Sequence, residues 1–203
     1  MSQFRLTFTI TSDWHIGNGK AAGAYADALV LKDHNGLPYL PGKSVKGLLR
    51  QAFSTAADNQ WFGENSDRVV TLLFGSEDRA GDSKQGIIQI SSARLSDAET
   101  QFFIRTPGAG AQLYRVISST AINHETGVAE NGSLRSMEVA IPMTLTALLT
   151  LNDSHPAFNE FVAISEDFAD WLGNTVALIY ELGAKRHRGL GQVEVTAEQI
   201  KGA

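Results

Sequence analysis

Phe4, Leu6, Phe8 and Ile10 alternate with Arg5, Thr7, Thr9 and Thr11, and this period of two predicts a half-buried strand near the start of the chain. A glycine-rich stretch, Gly17-Asn18-Gly19 to Gly23, leads to an apolar run, Ala28 to Leu31, closed by the turn Asp33-His34-Asn35-Gly36. Pro38 and Pro41 hold off helix until Gly42, after which Ser44 is the expected cap of a helix running to about Ala57. Val45, Leu48, Leu49 and Ala52/Phe53 make one apolar stripe on that helix. Lys43, Lys46 and Arg50 recur three and four residues apart on the other side. The helix therefore packs on a core and turns a cationic face outward.

Gly86 to Ser91 reads as a short strand. From Glu99 to Ser136 the pattern is irregular, mixing Pro107 and several glycines with strand-like pieces such as Tyr114 to Ile117, and it reads as a protruding hairpin or arm. Glu138 to Leu151 is a long strand or a bent pair, with Pro142 marking an edge or bulge. Phe161, Ile164, Phe168, Trp171, Leu172, Val176 and Ile179 keep helical spacing within Phe158 to Leu182, where Gly173-Asn174 is the expected break. A last strand covers Gln192 to Val195. This order predicts an α+β, ferredoxin-like βαββαβ core in one domain spanning 1–203, with an arm inserted at about 99–136.

Composition narrows the chemistry. The chain lacks cysteine, which excludes disulfides and thiolate metal sites. It has no run of 18 or more apolar residues and no signal-peptide pattern, so a soluble, cytoplasmic protein without membrane contact is expected. A net charge of −5 argues against coating nucleic acid with the whole surface, but not against a local groove. Gly36 to Arg50 (GLPYLPGKSVKGLLR) and Gly183 to Gln192 (GAKRHRGLGQ) hold six of the 17 basic residues and none of the 22 acidic ones. In the second segment Gly183, Gly189 and Gly191 would let backbone amides approach a ligand while Lys185, Arg186 and Arg188 supply charge. A phosphate backbone is the anion this pattern suggests.

Other motifs are decoys. Gly42-Lys43-Ser44 imitates a Walker A loop, but Gly36 lies one residue too far upstream and Pro38 and Pro41 stiffen the loop. Gly17, Gly19 and Gly23 imitate a dinucleotide fingerprint, but a strand-like run follows instead of a helix. His15, His34, His124, His155 and His187 show no metal-ligand spacing. His15 has two open readings, a structural histidine or the base of a metal-independent ribonuclease. Asp13, Asp27 and Asp33 flank the same loop, and composition alone does not choose among them.

Taken together, HIGNGK (His15 to Lys20), Asp27 before its apolar run, GLPYLPGKSVKGLLR, AINHETGVAENGSL (Ala121 to Leu134) and GAKRHRGLGQVEV (Gly183 to Val195) resemble the RAMP superfamily of CRISPR-associated proteins. The likeness covers most of the chain and is greatest to the repeated backbone subunit of type III (Csm/Cmr-type) effector complexes. It implies an RRM-related, ferredoxin-like core with a thumb-like hairpin inserting between bases, around Tyr114 to Arg135. By the same resemblance, Lys43, Ser44, Lys46, Arg50 and Lys185 to Gly191, including Arg186, Arg188 and Gly189, hold the backbone of a guide CRISPR RNA. The implied partners are the guide, a target RNA, further copies of the chain or related RAMP subunits, and the large and small subunits of the complex. In catalytic members a loop Asp supports metal-dependent target cleavage, which by position assigns Asp27 as catalytic residue and Mg²⁺ ligand. The family commonly follows that Asp with a small polar residue and Pro, whereas Ala28-Leu29 follows here. A binding-only subunit and a guide-processing ribonuclease with His15 as base therefore stand as alternatives.

Overall fold

The alternation in the first strand sets one face of a four-stranded sheet: Phe4, Leu6, Phe8 and Ile10 are buried while Arg5 and Thr9 are exposed. The computed structural model describes residues 2–21, 25–76, 84–165 and 167–200, so Gly23 lies outside the described residues. In chain order the elements are β1 (Gln3–Ile10), α1 (Gly42–Asp58), α2 (Ser66–Phe74), β2 (Gly75–Ser76), β3 (Lys84–Gln85), β4 (Ile88–Ile90), α3 (Asp97–Arg105), β5 (Tyr114–Ser119), β6 (Arg135–Ala140), β7 (Met143–Leu151), α4 (Phe158–Ile164), α5 (Phe168–Val176) and β8 (Val193–Ile200). The main sheet has the order β4-β7-β1-β8, all antiparallel. Strand β1 is central, with Leu6 opposite Ala147 and Ala197. With α1 between its first two strands and α4–α5 between its last two, this is the expected ferredoxin-like βαββαβ core.

The helices cover one face of the sheet. Phe53 of α1 stacks on Phe62 at 5.4 Å, and Phe168 of α5 meets Phe4 of β1 edge-on at 5.3 Å. Such aromatic pairs add roughly 0.5–1.5 kcal/mol each to the burial of their area. The opposite face is polar, with Thr7 between Thr146 and Thr196 across three strands. Among the described residues no helix is long and apolar enough to cross a membrane.

Several local expectations are corrected. Helix α1 starts at Gly42 with Pro41 as its cap, not at Ser44. Pro41 fits the non-helical N-cap geometry and lends its carbonyl to the amides of Ser44 and Val45, at 2.8 and 3.0 Å. Gly42 is needed because a Cβ there would lie 2.6 Å from the carbonyl oxygen of Ile90. The long C-terminal helix breaks before Phe168, not at Gly173-Asn174, because the Asp167 carboxylate caps a new start at the amides of Ala169 and Asp170. Glu138 to Leu151 resolves as a bent pair, with Pro142 at the joint and β6 and β7 in different sheets. The last strand runs on to Ile200.

The stretch after Ser96 is more regular than its glycines suggest. Ser96 and Glu99 form a capping box that starts α3. Strands β5 and β6 then pair from Tyr114↔Ala140 to Ser119↔Arg135, making the expected hairpin. Its distal loop exposes Ile122, Val128 and Leu134. The hairpin base is fixed to the core by hydrogen bonds in both directions between Trp14 and Ala140, at 2.9 and 2.8 Å.

Candidate nucleic-acid interface

Two segments far apart in sequence wall one groove. On one side α1 presents Ser44, Gly47 and Gln51; on the other the loop after Leu182 presents Gly183 and Arg186, with His15 at one end. The groove encloses about 450 Å³ and is open to solvent. Spacings of three, four and seven residues put Ser44, Gly47, Leu48 and Gln51 on one helical strip, beside the buried stripe of Val45, Leu49, Ala52 and Phe53.

The loop is shaped by close backbone packing. A Cβ on Gly183, which has φ +77°, would lie 2.4 Å from the carbonyl oxygen of His15, and the Ala184 amide donates to that same oxygen at 2.8 Å. Lys185 holds the left-handed conformation at φ 55°, which is rare for a residue with a Cβ. Two of the loop's glycine amides are used internally: Gly191 donates to the Asp13 carbonyl at 2.7 Å and Gly189 to the Arg186 carbonyl at 3.1 Å. Gly189 and Gly191 thus shape the loop, while the side chains of Lys185, Arg186 and Arg188 carry the charge. Arg186 is half-buried and lines the groove; Lys185 and Arg188 are exposed.

Lys43, Lys46 and Arg50 occupy the strip of α1 on the other flank of the groove-facing one. Lys43 is exposed, and Arg50 reaches the carbonyl of Gly75 at 3.4 Å. Lys46 is half-buried, and its pKa is lowered from the usual lysine value by desolvation first and by the charge of Arg50 second. Two cations held close enough to disfavour each other favour an anion between or above them.

His15 is structural in its first hydrogen bond. A carbonyl only accepts, so its Nδ1 carries the proton and donates to the main-chain oxygen of Glu138 at 2.7 Å. The buried Glu138 carboxylate is itself a hub, accepting from Lys32 Nζ at 2.9 Å, the Val30 amide at 3.0 Å and the Tyr25 hydroxyl at 3.2 Å. Lys32 also lies 3.8 Å from the centre of the Tyr114 ring.

The three loop acids separate cleanly. Asp13 is buried and paired with Arg115, whose Nε donates to it at 2.7 Å. Asp33 is a turn former, accepting from the amides of Asn35 and Leu37 at 2.9 and 3.0 Å and pairing with Arg94. Asp27 is the exposed one, against β6 near the distal end of the β5–β6 ladder. Its Oδ2 accepts from the amide of Ser136 at 2.7 Å and from the Ser136 hydroxyl at 3.3 Å. Ser136 precedes Glu138 by two positions on β6, about 7 Å along a strand, so Asp27 and the His15 end of the groove adjoin the same strand.

Among the described residues no group of three or more His, Asp or Glu could hold a metal ion alone. Asp27 does fit the mode in which Mg²⁺ takes one carboxylate and draws its remaining ligands from phosphate oxygens and water.

The sequence pattern of the RAMP superfamily matches residues 7–194, and the chain belongs to that superfamily. The fold is shared with a chain of the type III-B Cmr-beta complex bound to cognate target RNA, at 13% identity and a TM-score of 0.68, covering 96% of each chain. It is shared too with a chain of apo Cmr-beta (15% identity, TM-score 0.68, 98% and 97% covered) and one of a type IV-B CRISPR complex (15%, 0.61, 99% and 91%). No curated protein matches the chain at a significant level.

Proposed function

We propose that the chain is a guide-RNA-binding backbone subunit of a type III CRISPR effector complex and that it cleaves target RNA. The observation carrying this reading is the convergence of α1 and the Gly183–Arg186 loop on one groove, with a half-buried arginine inside it and a cationic strip beside it. A groove lined by about two turns of α1 that offers hydroxyl, amide and guanidinium groups suits a phosphodiester backbone and reads no base sequence. The hairpin, anchored through Trp14, Asp13 and Glu138, carries an apolar tip of Ile122, Val128 and Leu134 suited to wedging between bases. The superfamily membership and the fold shared with chains of CRISPR complexes support the same assignment.

In this reading Asp27 would hold Mg²⁺, and the metal when bound would neutralise charge on the scissile phosphate. Ser136 fixes the Asp27 carboxylate through Oδ2 alone, which orients the group. A binding-only subunit is the second reading, favoured by that same latch, since Asp27 already has a structural partner. Purification from the native host, sequencing of copurified RNA and assay of a complementary RNA with and without Mg²⁺ separate the two. Spacer-containing RNA with metal-dependent cutting supports the full proposal. Bound RNA without cutting supports the second reading, and absence of RNA contradicts both.

A further inference from the structure

Arg186 lines the main groove and also a second, smaller cleft of about 190 Å³ that continues along α1 past Gln51 and Thr55 to Tyr180. Tyr180 is 69% exposed, yet its backbone is rigidly held. Its carbonyl accepts from the Val193 amide at 3.0 Å, and Leu182 donates to Gly191 at 2.8 Å, so the segment forms a short ladder with the start of β8. Ile179 and Leu182, on either side, are buried. The ring is thus a flat apolar surface displayed on a fixed support.

Charge changes sign along the cleft. Arg186 is the cation shared by the two clefts, whereas Glu181 lines the far cleft and Glu194 flanks Tyr180 beyond it. A phosphodiester held at Arg186 is repelled by these carboxylates if it continues straight on. A neutral planar group attached to that backbone is not. We infer that Tyr180 is a stacking platform for one nucleobase, turned out of the strand beyond the phosphate held by Arg186. This rests on the RNA-binding reading above and adds the group that the far end of the groove recognises.

The test uses the purified chain and short single-stranded RNAs carrying one 2-aminopurine at each position in turn, with an abasic strand as control. In the wild type the fluorescence of 2-aminopurine at a fixed register is quenched by stacking. Tyr180→Ala removes that quench and weakens binding of the base-containing strand by about 5- to 150-fold. Its salt dependence stays as in the wild type, because no phosphate contact is lost. Tyr180→Phe and Tyr180→Trp keep both signals, and affinity for the abasic strand is indifferent to residue 180. Wild-type binding that Tyr180→Ala leaves unchanged overturns the platform alone, as does a Tyr180→Ala loss that appears equally on the abasic strand. A wild-type chain that binds no RNA overturns the RNA-binding reading, and the platform with it.

Discussion

Asp27 and Ser136 are joined by hydrogen bonds in both directions: the Asp27 amide donates to the Ser136 carbonyl at 2.9 Å, and the Ser136 amide donates to Asp27 Oδ2 at 2.7 Å. The carboxylate therefore has two separable jobs, tying the distal end of β6 to the Asp27 loop and carrying negative charge at the surface. Asparagine keeps an acceptor oxygen for the Ser136 amide but removes the charge. Asp27→Asn is expected to abolish metal-dependent target cleavage in the reconstituted complex, to retain RNA binding, and to keep stability within about 0.5 kcal/mol. Asp27→Ala removes the latch as well and costs about 1 kcal/mol. Full cleavage by Asp27→Asn would sink the catalytic assignment.

Gly47 lies mid-helix on the groove wall, and a Cβ added there meets nothing within 4 Å. On helix propensity alone Gly47→Ala stabilises the chain by about 0.5–1 kcal/mol. The same methyl intrudes on the surface where an RNA backbone would approach. The expected pattern is a higher midpoint in urea with weaker RNA binding. Higher stability with unchanged affinity would place the RNA elsewhere.

Lys185 holds positive φ without being glycine. Lys185→Gly relieves that strain by roughly 0.5–1 kcal/mol, net of the added freedom of the unfolded chain. It also removes a loop cation, so a higher melting temperature with lower RNA affinity is expected. A fall in melting temperature would show that the side chain supports the loop conformation.

The Tyr114 hydroxyl donates to the Gly36 carbonyl at 2.7 Å, and its pKa is pushed well above the usual tyrosine value of 10.0 by burial first and then by Glu138 and Asp33. The folded form holds this proton more tightly than the unfolded chain. The contribution is therefore fully present below about pH 10 and is lost as the pH rises above it. Melting curves from pH 8 to 11 should show the advantage of wild type over Tyr114→Phe shrinking above pH 10. Lys32, against the same ring, is present in both proteins and cancels in the comparison. A constant difference would contradict the assignment.

The fold was legible wherever one face of an element is apolar, as in β1 and α1. The ends of elements were harder, because they depend on contacts distant in sequence. Gly42 begins α1 partly because Ile90 passes so close, and Asp13 is buried because Arg115 reaches it from the hairpin. The capping box from Ser96 to Glu99 was present in the sequence, but the glycines beyond it obscured the signal. In the interface, Ser44 and Arg186 were found from a motif and from charge. Gly47, Gln51 and Tyr180 carry no charge, and only the packing of α1 against the C-terminal loop brings them together.

In the proposed function the groove between α1 and the C-terminal loop holds an RNA backbone through phosphates. Its most direct measurement is the affinity of the purified chain for two unrelated single-stranded RNAs across a range of salt, for wild type and for Arg186→Ala. Similar wild-type affinities are expected for both sequences, with an equal weakening of both by Arg186→Ala. The slope of log affinity against log salt is expected to fall in magnitude by about 0.7, the value for one single-stranded phosphate contact. Unchanged affinity and slope in Arg186→Ala would contradict it.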